Sequence, residues 1–235
     1  MPRIVIVGCG TGVGKTRVSQ ALLRSLAARD YPCIGLKPIE SGVTAASSGV
    51  PPDGSDAGLL STASTLRTTQ PHPLYALREP VSPHLAARIA GSAIDLSRVL
   101  NWVNSAEQEV APRVSSDRAI WSIVETAGGV FSPLALGLSN FDLARLLEPA
   151  IWVLVAADAL GVLHDVSATQ QALIARGRPV DHLVLSQARD PDASTGGNAA
   201  ELRALGIAEP AAVLGRDDDR GLEAFVARLL ASAAQ

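Results

Sequence analysis

Residues 8–16 read GCGTGVGKT and follow directly on an apolar run, RIVIV at 3–7. Four glycines in seven positions, then a lysine and a threonine, suit an anion. Glycines let backbone N–H groups turn inward around it, and a helix opening at that point adds its positive end. Lys15 would reach the outer phosphates of a nucleotide, and the Thr16 hydroxyl would bind Mg²⁺. The spacing departs from the usual phosphate loop, G-x-x-x-x-G-K-[ST], which puts four residues between its glycines. Counted back from Gly14, the first glycine falls on Cys9; from Gly8 five residues intervene, and from Gly10 three. The extra residue changes the loop's shape but not its chemistry. The bland alternative is an ordinary glycine-rich strand–helix turn. Cys9 is read as packing rather than reactive, because nothing nearby marks it as a nucleophile.

Three further residues could do chemistry with such a loop. Lys37, in LKPIESG, ends an apolar run and is held in direction by Pro38. It could neutralise a phosphate or a developing anion, or be a solvated surface lysine. Glu125, in IVETAGG, could hold Mg²⁺ or orient a nucleophile, or serve as a cap or loop carboxylate. Asp56, in GSDAG, could be a second carboxylate for the metal, a helix N-cap, or both. Ser82, Pro83 and His84 read as a cap with proline opening a helix, and His84 alone makes no site. No Ser–His–Asp order and no cluster with metal-ligand spacing appears elsewhere.

These residues need a frame. Apolar, β-branched runs predict strands at Arg3 to Val7, Pro32 to Leu36, Ala119 to Val124, Ile151 to Ala156 and His182 to Leu185, with a short sixth at Ala211 to Leu214. Helical patterns fall between them, at Thr16 to Ala28, 162–176, 197–204 and 219–233. Continuous apolar strands alternating with helices predict an α/β fold, a mostly parallel central sheet with helices on both faces. Such sheets bind ligands at the carboxyl ends of their strands, where Gly8, Lys37 and Glu125 all fall. The stretch 38–81, rich in Ser, Thr, Gly and Pro, reads as a long loop with a helical piece around Asp56 to Ser61. No boundary or repeat interrupts the chain, so 1–235 reads as a single domain.

Composition bounds the partners. With 47% hydrophobic and 18% charged residues, the 235-residue chain can bury a sizeable core. Aromatics are only 3%, so Ala, Val, Leu and Ile must build that core. A net charge of -3 without a basic patch argues against nucleic acid. The apolar run Ile151 to Ala157 is too short to cross a bilayer, and the N-terminal run leads straight into the glycine loop, so no membrane partner is expected. Two cysteines, Cys9 and Cys33, give no disulfide framework and point to a reducing, cytoplasmic setting.

Taken in order, the motifs resemble those of dethiobiotin synthetases, a family with a P-loop NTPase-like fold. GCGTGVGKT is similar to that family's lengthened phosphate loop, which also has five residues between its glycines. KPIESG, GSDAG, EPVSPH, VETAGGVFSPL and DALGVLHDVSAT resemble further blocks at similar spacing. The resemblance implies a Mg-ATP-dependent ligase acting on 7,8-diaminopelargonic acid and CO₂. Lys15 and Lys37 would stabilise phosphate and carbamate charge, and Thr11 and Ser41 would contact the diamine or carbamate. Thr16, Asp56 and Glu125 would hold Mg²⁺. Gly8, Gly10, Gly12, Val13, Gly14, Lys15 and Thr16 would bind the nucleotide. Ser186 and Gln187 stand where the family carries a base-reading Asn, so other nucleoside triphosphates stay possible alongside ATP. The family is a homodimer with active sites at the interface, and Leu160 to His164 would meet the partner's substrate carboxylate. His164-Asp165 replaces the family's Asn-His there.

Two alternatives remain open at this point. A ParA-like ATPase acting as a nucleotide-dependent dimer switch shares the architecture, but typically carries a further lysine where Gly10 stands. A cobyrinate-type amide ligase usually has a longer chain with a glutaminase domain.

Overall fold

The computed structural model describes residues 1–44, 51, 53–115 and 118–233. Six strands form the central sheet: β1 (Arg3–Gly8), β2 (Cys33–Leu36), β5 (Trp121–Glu125), β8 (Ile151–Asp158), β9 (His182–Gln187) and β10 (Pro210–Leu214). Their order is β10-β9-β8-β1-β5-β2, and every pairing is parallel. The six strands expected from the sequence are all present, within a few residues at their ends. β2 starts after Pro32, whose missing N–H cannot join a ladder.

Alternate residues along each strand face opposite layers, and both layers are apolar. Val5, Val7, Ile34, Leu36, Val124 and Leu154 pack into one core, with α4 (Leu96–Val110), α5 (Asn140–Leu146), α6 (Val162–Ala175) and α7 (Asn198–Ala204). Ile4, Ile6, Cys33, Ile123, Val153 and Val184 pack into the other, with α1 (Lys15–Ala27), α2 (Asp56–Ala63) and α8 (Glu223–Ala233). Helices therefore cover both faces of the sheet.

The stretch read as a loop holds more order than its composition suggests. Within 38–81 lie β3 (Ile39–Ser41) and β4 (Tyr75–Leu77), paired parallel in a separate two-stranded sheet, and α2 runs two residues further than expected. Residues 45–50 and 52 of that stretch, and 116–117 and 234–235 elsewhere, lie outside the described residues. Two short helices open at positions the sequence marks. α3 (Pro83–Ile89) has Ser82 as N-cap and Pro83 in its first turn, and α5 opens with a capping box between Ser139 and Asp142. β6 (Pro133–Ala135) and β7 (Leu138–Ser139) form a small antiparallel hairpin before α5.

Strand order reverses around β1. The chain moves from β1 to the edge strand β2, returns to fill the gap with β5, then crosses to β8 on the other side. In open α/β sheets that reversal leaves a crevice at the carboxyl ends of the strands. The glycine loop leaves β1 at this crevice.

Candidate active site

The loop 9–14 joins β1 to α1. Its start is held on both sides: Cys9 N–H donates to Val155 O at 3.0 Å, and Val130 N–H donates to Gly8 O at 2.7 Å. Gly14 is the N-cap of α1 in a left-handed conformation, φ +92. A Cβ there would also lie 2.3 Å from Ser186 Oγ, so glycine is required twice over. Gly12 is left-handed too. The first N–H groups of α1 have no intrahelical partners and are free for an anion. Lys15 Nζ donates to Gly10 O at 3.1 Å across the loop. Burial, then the nearby Lys37 charge, lowers the Lys15 pKa to about 8.

Next to the loop, two strand ends and the start of α2 bring charges together. Glu125, the last residue of β5, is completely buried. Its Oε1 accepts from Lys37 Nζ at 2.6 Å and Thr16 Oγ1 at 2.9 Å, and its Oε2 accepts from Ser19 Oγ at 2.8 Å. Lys37 follows β2, is buried, and also pairs with Asp56 Oδ2 at 2.9 Å. Burial works against the Lys37 charge, but Glu125 and Asp56 outweigh it and raise the pKa. Burial would raise the Asp56 pKa, but the charge and hydrogen bonds of Lys37, with help from Thr16, bring it below its ordinary value.

Two cavities meet at this cluster. The inner one, about 260 Å³, is lined by Gly12, Gly14, Lys15, Thr16 and Glu125. The outer one, about 400 Å³, is lined by Glu40, Ser41, Ser82, Pro83 and Ser132 among others. Thr11, Lys37, Asp56 and Gly128 line both and form the shared wall. Gly128 is left-handed, φ +83, and a Cβ on it would lie 2.8 Å from Ser132 Oγ. Asn140 Nδ2 fixes that turn by donating to Ala127 O at 2.6 Å and Gly129 O at 2.9 Å.

The structure thus gathers Thr11, Lys15, Thr16, Lys37, Asp56 and Glu125 around one point, with Ser41 in the outer cavity. The Ser41 hydroxyl is buried and has no hydrogen-bond partner among the described residues. His84 Nδ1 is likewise buried without a partner among the described residues, though His84 lines neither cavity. Ser186 lies beneath Gly14, and Gln187 Oε1 accepts from Arg216 N–H at 2.8 Å, tying the ends of β9 and β10. Burial drives the Cys9 thiol up to about 11, well away from a nucleophile. His164 and Asp165 are exposed in the first turn of α6.

Some participants escaped the sequence reading. Ser19 sits one turn after Lys15 and Thr16, on their side of α1, and that spacing was a usable signal. His72 Nε2 accepts from the Lys37 backbone N–H at 2.8 Å. Glu40 accepts from Asp56 N–H at 2.7 Å and Ala57 N–H at 3.0 Å. No sequence pattern announces either of these two.

The donors suit Mg²⁺. A hydroxyl and two carboxylates, on Thr16, Asp56 and Glu125, line the inner cavity and could offer it hard oxygen donors. Among the described residues no group of three or more His, Cys, Asp or Glu could hold a metal. Mg²⁺ ordinarily takes one or two carboxylates and completes its shell with phosphate oxygens and water.

Comparison with known proteins agrees with the geometry. A family model described as an AAA domain matches residues 2–218. The ATP-dependent dethiobiotin synthetase of Anaeromyxobacter dehalogenans is 34% identical over 93% of this chain and 92% of its own length. That of Anaeromyxobacter sp. strain K is 35% identical over the same shares. Among solved structures, the signal recognition particle receptor FtsY of Elizabethkingia anophelis has a TM-score of 0.54 at 14% identity, covering 96% of this chain and 64% of its own. A ParA family ATPase from Chlorobium tepidum has a TM-score of 0.53 at 14% identity, covering 100% of this chain and 93% of its own. Those two likenesses concern the P-loop NTPase fold alone. On the identity and coverage of its sequence relatives, the chain belongs to the ATP-dependent dethiobiotin synthetase family.

Proposed function

We propose that the chain, acting as a single catalytic domain, is a Mg-ATP-dependent ligase that converts 7,8-diaminopelargonic acid and CO₂ to dethiobiotin, ADP and phosphate. The observation that carries this reading is the shared wall. Thr11, Lys37, Asp56 and Gly128 line both the phosphate-loop cavity and the outer cavity, so a group in one faces a group in the other. That arrangement suits direct phosphoryl transfer from a nucleotide to an acceptor bound alongside.

In this reading an amine of the diamine attacks the CO₂ carbon and loses a proton, giving a carbamate in the outer cavity. The Ser41 hydroxyl, unpartnered among the described residues, and Thr11 would hold it. A carbamate oxygen attacks the γ-phosphorus, and ADP leaves. The second amine then attacks the carbamoyl carbon, loses a proton and expels phosphate, closing the cyclic urea. Lys15 and Lys37 offset the negative charge on the transferring group. The loop Gly8, Gly10, Gly12, Val13 and Gly14 cradles the phosphates. Thr16, Asp56 and Glu125 would hold Mg²⁺, which would supply charge neutralisation for the transferring phosphoryl group. Ser186 and Gln187, at the end of β9, would face the nucleotide base in this reading, and ATP or another triphosphate would fit their neutral side chains.

Dimerisation belongs to the same proposal. Val81, Leu136, Leu138 and Leu160 are exposed apolar side chains on the loops and hairpin near the carboxyl ends of the strands. A second copy covering them would remove that surface from water. The assay that tests the reaction incubates the protein with the diamine, labelled bicarbonate and Mg²⁺, with ATP or CTP in separate tubes, and reads products by mass spectrometry. Labelled dethiobiotin supports the reading, and the productive tube gives the nucleotide. Tight nucleotide binding without product would overturn the acceptor assignment.

A further inference from the structure

Lys37 and Asp56 meet at 2.9 Å although they come from separate parts of the chain. What holds Asp56 in place lies on the far side of its backbone. Glu40, buried in β3, accepts from the Asp56 N–H with Oε1 at 2.7 Å and from the Ala57 N–H with Oε2 at 3.0 Å. Both carboxylate oxygens thus take the first two N–H groups of α2, which have no partners within the helix. Burial is the main influence on the Glu40 carboxyl, and those two N–H groups partly offset it.

The result is a closed ring of contacts. Lys37 leads through Pro38 and Ile39 to Glu40. Glu40 grips the backbone of Asp56, and the Asp56 carboxylate returns to the Lys37 ammonium. β3 is itself pinned to β4 over Ile39–Ser41, so the ring has a rigid base. Ser55 Oγ caps the same helix by accepting from Gly58 N–H at 3.0 Å, but this bond stays within the α2 segment and does not reach the site.

We propose that Glu40 is a positioning residue for Mg²⁺ binding, setting where the Asp56 carboxylate stands in the inner cavity without itself touching the ion. The proposal rests on the reading of Asp56 as a metal ligand. Glu40→Gln preserves size but offers one acceptor oxygen to two N–H groups, and its own NH₂ faces a donor. Loss of such an outer partner typically costs about 10–100-fold in metal affinity.

The test is Mg²⁺-dependent binding of a fluorescent, non-hydrolysable ATP analogue, with Mn²⁺ paramagnetic resonance on the same complex. Five chains are compared: the natural one, Glu40→Gln, Asp56→Asn, the two changes combined, and Ser55→Ala. Glu40→Gln should raise the Mg²⁺ midpoint by about tenfold or more, and should add little once Asp56→Asn is present. Ser55→Ala removes a cap of the same helix and should leave the midpoint within about twofold; calorimetry shows whether each variant folds. If Asp56→Asn does not move the midpoint, the metal reading of Asp56 fails. If Asp56→Asn moves it and Glu40→Gln does not, the proposal fails while that reading stands. An equal shift from Ser55→Ala, or fully additive shifts in the double variant, would reduce Glu40 to general support of the helix and overturn the proposal.

Discussion

Lys37→Met takes one charge out of the buried centre of the site and leaves a side chain of similar length. Lys37 Nζ lies 2.6 Å from Glu125 Oε1 and 2.9 Å from Asp56 Oδ2. Glu125 is fully buried, whereas Asp56 is 38% exposed, so the loss falls mainly on Glu125. Removing one partner of a buried pair costs about 3–5 kcal/mol, because the other charge is stranded. The Thr16 and Ser19 hydroxyls still donate to Glu125 in the variant, which favours the lower end, about 3 kcal/mol. For a chain of this size that corresponds to a fall in Tm of roughly 6–12 °C. Scanning calorimetry on the nucleotide-free protein measures it. The double variant Lys37→Met with Glu125→Gln no longer strands a charge, so it should regain at least half of the lost stability while remaining inactive. A fall below about 2 °C in the single variant would refute the buried ion pair as an energetic unit. A double variant less stable than Lys37→Met alone would refute it equally.

Lys15→Ala should nearly abolish turnover, since the phosphate loop loses its cation; a normal kcat would remove the phosphate-loop assignment. The intact Lys15, with a pKa of about 8, should take up roughly half a proton when a nucleotide binds at pH 8, because phosphate favours its charged form. Calorimetry in buffers of different ionisation heat reads that uptake, and a value near zero would place the phosphates away from Lys15. His72 is buried and neutral, with burial and then the Lys37 charge lowering its pKa from 6.5 to about 4. The unfolded chain binds that proton at higher pH than the folded one, so stability is intact above about pH 6.5 and lost as pH falls toward 4, by about 3 kcal/mol. Urea titrations across that window should show the slope, and His72→Gln, which keeps an acceptor for the Lys37 N–H, should flatten it; an unchanged slope would assign the acid loss elsewhere. If the site needs a second copy, specific activity should fall as the protein is diluted through its dimer dissociation, and a fully active monomer by light scattering would contradict the dimer.

What the sequence made legible follows from signal length. The six sheet strands are continuous apolar runs buried on both faces, so their pattern is loud. The phosphate loop is a contiguous motif, and Lys37 is flagged by Pro38 at a strand end. The three-residue strands β3 and β4 are too short for periodicity to register, and they pair across a stretch of Ser, Thr and Pro that reads as loop. α4 is a different case. Asp95 caps it, and Leu96, Val99, Trp102, Val103, Ala106 and Val110 form a clear buried stripe at helical spacing, a signal the sequence does carry. Glu40 and His72 carry no signal of their own, because each acts on the backbone of a residue distant in sequence.

The convergence of the site has a simpler cause than any of its motifs. Phosphate loop, Lys37 and Glu125 each stand at the carboxyl end of a strand, which the sequence shows, but strand order in a parallel sheet is set by crossovers that leave little trace in composition. Here β5 lies between β1 and β2. Neighbouring strands are about 4.8 Å apart, so a residue at the end of the middle strand can reach groups carried by both neighbours. Glu125 does so: it accepts from Thr16 and Ser19 of the helix that follows β1 and from Lys37 at the end of β2. With β1 and β2 adjacent and β5 outside, Glu125 would stand two strand spacings, about 10 Å, from one of those partners, beyond reach of a direct hydrogen bond. The buried carboxylate is therefore satisfied by topology, and through it the helix that follows the glycine loop is tied to Lys37 at the end of β2.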